Sequence, residues 1–250
     1  MVEHATDNLL LEARDLAVSF GGVHAADGIS LSMRQGELRS IIGPNGAGKS
    51  TLFKMLAGTV LPDRGTIHLR GRDITRTERY LRARMGIGIK VQNVSAYNDL
   101  TVRHNLLLPL NRKLATADEI EQAVGDLLER IHLRGSGDRL AGELSHGQKQ
   151  WLSIGMTLAG QPSLMLLDEP VAGMGPEETQ ATVDIIRAVN AEGVTILVVE
   201  HDMEFVRKLQ SHVTVLHYGR TFAQGTLAEI EAHEEVRRIY LGNRSRKRLA

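Results

Sequence analysis

Residues Gly43-Pro44-Asn45-Gly46-Ala47-Gly48-Lys49-Ser50, with Thr51 after them, constrain this chain more than any other stretch. They fill the pattern G-x-x-x-x-G-K-[ST] in full, and they lie in the context that the pattern requires. The apolar strand-like run Leu38–Ile42 precedes them, and the helical run Leu52–Ala57 follows and stops at Gly58. Glycines let successive backbone N–H groups curl around phosphate oxygens, and the positive end of the following helix faces the same anion. The Lys49 ammonium is placed to reach β- and γ-phosphates, and the Ser50 hydroxyl to bind Mg²⁺.

The rest of the chain reads as a frame for that loop. Short β-like runs broken by glycine fill the early part: Leu9–Phe20, Gly28–Met33, Glu37–Ile42 and Gly65–Leu69. The middle, about 92–160, reads helical. Thr116 with Glu119 and Ser145 with Gln148 are capping-box pairs, each followed by apolar residues at helical spacing. In the last third, Leu164–Leu167 and Thr195–Glu200 suit strands buried on both faces, and a helix starting at Pro176 and ending before Gly193 separates them. This rhythm predicts a parallel α/β core in one large domain, 1–250, closed by a basic tail, 244–250.

Composition narrows the function classes. Lysine plus arginine equal aspartate plus glutamate at 30 each, so no global field points to nucleic acid. The chain has no cysteine, which excludes disulfides and thiolate metal sites, and its histidines lack ligand spacing for zinc. The first residues lack the basic-then-apolar pattern of a secretion signal. No apolar run approaches the roughly 18 residues of a membrane helix, so a membrane role would come through a partner.

A phosphate loop needs an acid to complete its metal site. Asp168 ends the run Leu164–Leu167 and is placed to accept a water bound to Mg²⁺, while Glu169 can polarise the attacking water as general base. His201 follows the strand Thr195–Glu200, a position where catalytic groups gather, although a lone histidine is more often structural. Ordinary core burial is the bland reading of Phe20, ahead of Gly21-Gly22. Leu144-Ser145-His146-Gly147-Gln148 opens a helix, where a serine hydroxyl and nearby N–H groups can make a second phosphate-binding site; taken alone, Ser145 and Gln148 read first as a plain capping box, and the order of the motifs favours the phosphate site.

In this order the phosphate loop, the Leu-Ser-His-Gly-Gln turn and Asp-Glu resemble the ABC ATPases, whose signature is usually Leu-Ser-Gly-Gly-Gln. The resemblance covers nearly the whole chain. It implies an α/β P-loop NTPase fold with a RecA-like core of mainly parallel strands, an antiparallel β subdomain and a helical signature subdomain. It also implies ATP and Mg²⁺ as cofactors. Gln92 would be the Q-loop glutamine at the metal or attacking water, His201 the switch histidine at the γ-phosphate, and Phe20 the aromatic that stacks on adenine. Ser145, Gly147 and Gln148 would close on the ATP of a second ATP-binding subunit, in a head-to-tail sandwich.

Two positions depart from the family pattern: His146 replaces the first signature glycine, and Gly175 stands where an aspartate or asparagine usually helps pair the two subunits. The finer resemblance is to uptake systems for branched-chain amino acids, amides and urea. It rests on Phe20-Gly21-Gly22-Val23, Leu144–Met156, Asp168–Met174 and Val199–Phe205, and the run from His146 to Trp151 looks most like the urea branch. Such a system implies a heterodimer of ATPases, with a homodimer as the alternative. It also implies two transmembrane permease subunits, a periplasmic solute-binding protein, and a place on the cytoplasmic face of the inner membrane. A lipopolysaccharide-type export ATPase resembles the signature region less. Non-transport ABC proteins usually carry a coiled coil or two nucleotide sites, whereas about 95 residues separate loop from signature here and each motif occurs once.

Overall fold

The computed structural model describes residues 8–92, 96–110 and 116–241, so the basic tail lies outside the described residues. The chain opens with two long strands, β1 (Leu9–Phe20) and β2 (Val23–Arg34), paired antiparallel across the Gly21-Gly22 turn. Both turn residues have positive φ, +54° and +84°, which glycine adopts without steric cost. Next come β3 (Leu38–Ile42), α1 (Lys49–Ala57), β4 (Arg64–Leu69), β5 (Arg72–Asp73), α2 (Arg79–Arg84) and β6 (Ile87–Lys90). The helical middle is α3 (Val102–Leu107), α4 (Ala117–Arg130) and α5 (His146–Ala159). The last part runs β7 (Leu164–Asp168), α6 (Pro176–Ala191), β8 (Thr195–Val199), α7 (Met203–Leu209), β9 (His212–His217) and β10 (Arg220–Thr226), before short helical turns.

Two sheets result. The first is antiparallel, in the order β2-β1-β4-β5; the second has the order β10-β9-β3-β8-β7-β6, with only β10 running against its neighbour. The parallel strands are apolar throughout because both faces are covered, and alternation sorts their side chains. Leu164, Leu166, Leu197 and Val199 join one buried cluster with α1 and the antiparallel sheet. Met165, Leu167, Ile196 and Val198 join another with α3, α4, α5 and α6. The helical middle therefore has no core of its own but shares one with the parallel sheet.

Several sequence expectations shift. The second strand begins at Val23 rather than Gly28, because Gly28 sits inside it at φ +97°. Among the described residues of 92–160 there are three helices and a 3₁₀ turn at Ala141–Glu143, and Gln92 itself lies in a bend after β6. The hairpin β9–β10 turns through Tyr218-Gly219, both at positive φ, a geometry that Asn-Gly or Asp-Gly would have announced and Tyr-Gly does not. Among the described residues no helix is long and apolar enough to cross a membrane. A groove of about 1100 Å³ runs between α2, β6 and α5, lined by Arg79, Tyr80, Arg84, Ile89, Met156 and Pro162 among others.

Candidate active site

Four parallel strands deliver the candidate residues to one edge of the second sheet. β3 runs into the phosphate loop, β8 into Glu200 and His201, β7 into Asp168 and Glu169, and β6 towards Gln92. Their registers pair Ile41 with Val199, Asp168 with Val199, and Lys90 with Leu167, so the strands end level. Groups at the carboxyl ends of adjacent parallel strands share the crevice beyond them.

The loop Gly43–Gly48 is packed against the chain on its inner side. A side chain on Gly43 would meet the Leu216 carbonyl, and one on Gly48 would lie 2.7 Å from the Ala25 carbonyl. Gly46 and Gly48 have φ of +78° and +99°. The helix that follows, α1, has no side-chain cap and no acid in its first turn, whereas α4 and α5 both carry capping boxes. Its first N–H groups, including those of Ser50 and Thr51, thus have neither a carbonyl nor a side chain of this helix to bind. The Lys49 ammonium donates to the carbonyls of Gly43 (2.6 Å) and Pro44 (3.1 Å), which holds it over the loop. Burial pulls the Lys49 pKa down, opposed by Glu169, Asp168 and Glu200. A nearby polyanion would restore the ammonium's preference for its charged form.

Across from the loop, Glu169 is held from two sides. Gln92 Nε2 donates to one carboxylate oxygen at 2.7 Å, and His201 Nδ1 lies 3.3 Å from the other. The Glu169 backbone sits in the left-handed region at φ +43°, fixed by its N–H donating to the Val199 carbonyl. A non-glycine residue there carries strain of order 1–3 kcal/mol, the kind of cost that a positioned side chain can justify. Asp168 beside it has its pKa raised, first by burial and then by Glu169.

Two further groups under this cluster escaped sequence reasoning. Lys90 is 1% exposed, donates to the Asp168 carbonyl at 3.4 Å, and has its pKa lowered by burial to about 8. Glu200, also 1% exposed, accepts from the N–H groups of His201 and Asp202, and burial raises its pKa. Lys90 could have been noticed as a charge inside the apolar run Ile87–Val91; Glu200 had no such signal.

The signature turn is brought elsewhere. Ser145 caps α5 with Gln148 as expected, and its hydroxyl donates to Glu178 Oε1 at 3.2 Å. His146 Nε2 lies 2.9 Å from the Ala172 carbonyl, and Gly147 is packed against the Glu178 carboxylate. Beyond α5 itself, the polar partners of Ser145 and His146 are thus Glu178 and Ala172 rather than the phosphate loop. Phe20 is 50% exposed at the end of the β1–β2 hairpin, so it is not a core residue. The same hairpin supplies the Ala25 carbonyl that touches Gly48.

The oxygen donors at the sheet edge suit a small hard cation that keeps several waters and phosphate oxygens: the Ser50 hydroxyl, the Asp168 carboxylate and the Gln92 amide oxygen. The uncapped start of α1 and the buried Lys49 suit the anion that such a cation accompanies.

Residues 26–172 match the family model described as ABC transporter. The chain is 36% identical over 249 residues to the high-affinity branched-chain amino acid transport ATP-binding protein LivG of Salmonella typhimurium, covering 93% of this chain and 98% of that one. It is 34% identical over 249 residues to the corresponding protein BraF of Pseudomonas aeruginosa, with the same coverage of 93% and 98%. Among solved structures, the ADP conformation of MJ1267, an ATP-binding cassette of an ABC transporter, superposes with a TM-score of 0.83 at 30% identity, over 94% of this chain and 99% of that one. The parallel sheet edge, its phosphate loop and these likenesses agree, and the chain belongs to the ABC transporter family as an ATP-binding, ATP-hydrolysing subunit.

Proposed function

We propose that the chain, as one nucleotide-binding domain, energises an importer of branched-chain amino acids, amides or urea, closing with a second ATP-binding subunit on two ATP molecules. The observation that carries the hydrolytic part of this reading is the Gln92–Glu169–His201 constellation at the sheet edge, facing the loop that holds Lys49. The likeness to LivG and BraF supports the solute class.

In this reading Gly43, Pro44, Asn45, Gly46, Ala47, Gly48, Lys49, Ser50 and Thr51 cradle the phosphates, and Phe20 offers its exposed ring to adenine. Ser50, Asp168 and Gln92 would hold Mg²⁺, which would supply positive charge to the phosphates when bound. Glu169 accepts a proton from water as the water oxygen bonds to the γ-phosphorus and the bond to the β-phosphate oxygen breaks, giving ADP, phosphate and a proton. His201 and Gln92 keep the Glu169 carboxylate aimed, and His201 steadies the γ-phosphate. Ser145, Gly147 and Gln148 of each subunit serve the other's ATP.

The groove between α2 and α5 suits a cytoplasmic segment of a permease, because its β6 wall leads within two residues to Gln92. A permease pressing there would move the Q-loop and hence Glu169. The subunit then sits on the cytoplasmic face of the membrane, bound through two permease subunits that a periplasmic solute-binding protein loads. Uptake of labelled leucine and labelled urea, in cells carrying the intact chain or Glu169→Gln, tests the reading. Loss of one of the two is expected and names the branch. Retention of both would overturn the importer assignment.

A further inference from the structure

The signature turn already holds an anion. The Glu178 carboxylate, in the first turn of α6, accepts the Ser145 hydroxyl at 3.2 Å, and its other oxygen accepts the Gly175 N–H at 3.3 Å. It also fills the space above Gly147, where a Cβ would clash with it. Capping α6 requires only the contact to Gly175. The contact to Ser145, 33 residues away, is extra, and it takes the one proton that the signature serine has to give. On its acceptor side the same hydroxyl already takes the Gln148 N–H within the cap.

We propose that Glu178 is a positioning residue for the signature turn. In the unpaired subunit its carboxylate occupies the anion place at the head of α5, and it must yield the Ser145 hydroxyl to the γ-phosphate of the partner's ATP. This rests on the head-to-tail reading above and adds to it a competitor built into the same chain. Both ligands are anions and both want the same donor, at the positive end of a 14-residue helix. Glu178 keeps its bond to Gly175 after the exchange, so the cap of α6 survives it. Gly147 is small because the anion, carboxylate or phosphate, lies against its Cα.

The test uses the transporter purified through a tag on this chain, with the subunits that accompany it. Glu178→Gln keeps the size of the side chain, removes its charge and leaves one acceptor oxygen where the carboxylate has two. The ATP concentration for half-maximal hydrolysis should fall about 3- to 10-fold, the difference between a charge-assisted and a neutral hydrogen bond, with kcat changing less. Inhibition by ADP, which has no γ-phosphate to reach the signature, should stay where it was; a merely structural defect would move both. Glu178→Ala should lower half-saturation as well, with a lower melting midpoint from the lost cap. An unchanged or raised half-saturation for ATP in Glu178→Gln, or an equal shift for ATP and ADP, would overturn the inference. The mass of the complex reads the underlying arrangement separately: a single ATP-binding subunit per complex would overturn the sandwich and the inference together, while two subunits with no ATP-specific shift would overturn the inference alone.

Discussion

Glu169 depends on its neighbours for aim, since Gln92 and His201 take its two carboxylate oxygens from opposite sides. Glu169→Gln should lower ATP turnover by about 100-fold or more, the usual worth of a general base, with ATP affinity kept, as steady-state hydrolysis and nucleotide titration would read. Lys49→Ala should do the reverse first, weakening ATP binding by about 10- to 100-fold through the loss of charged hydrogen bonds to phosphate; isothermal titration checks it. Lys90 gives a pH signature. Its pKa, lowered by burial from 10.5 to about 8, means that below about 8 the folded protein bears the full cost of burying the charge. Between about 8 and 10.5 the unfolded chain binds more protons than the folded one, so stability rises with pH. The gap corresponds to roughly 3 kcal/mol. Lys90→Met should therefore be more stable than the parent at pH 7.5 and lose that advantage towards pH 10, by denaturant unfolding at both. At this scale the motif residues were legible because their spacing is chemical. Glu178 and Lys90 were not, because only the folded chain shows that one carboxylate meets Ser145 and that one lysine is dry.

The elements that hold the site are tied by contacts that sequence periodicity does not reveal. Arg82, fully buried in α2, donates to the carbonyls of Met55 and Leu56 at the end of α1, to Ile74 and Thr75 after β5, and to Thr77. One guanidinium thus satisfies the carboxyl end of the phosphate-loop helix, where a positive charge is also favoured by the helix dipole. Gly58 must be small beside it, since a Cβ there would lie 2.8 Å from Arg82 Nε. Arg82→Leu should cost about 3 kcal/mol or more by leaving buried carbonyls unpaired. In a chain of this length that lowers the melting midpoint by about 6–12 °C, measurable by circular dichroism. The strands β3, β7 and β8 and helix α6 were readable from apolar runs and from Pro176 and Gly193. The short helix α2 was not, because its one buried side chain is an arginine, which no apolar pattern marks.

At the scale of the molecule, the fold was legible because the sequence order of loop, signature and Asp-Glu is tied to one sheet edge, and a parallel sheet leaves few ways to bring those strand ends level. The pairing of two subunits was less legible, since in the proposed sandwich the surface that would complete each ATP site belongs to another molecule. The signature turn, engaged by Glu178 and Ala172 within its own chain, indicates where that surface would be. Pairing has a mass-action consequence that separates it from binding to one subunit. Adding MgATP to the Glu169→Gln chain at about 100 times its dissociation constant should stabilise a lone subunit by about 2.7 kcal/mol, raising its melting midpoint by about 5–11 °C, whatever the protein concentration. If the chain also closes on a second copy, the midpoint with MgATP should climb further as protein concentration rises, while the midpoint without nucleotide stays fixed. A midpoint with MgATP that ignores protein concentration would mean that this chain does not pair with itself. The closing partner would then be a different ATP-binding subunit, and the same titration with that subunit added would have to restore the concentration dependence.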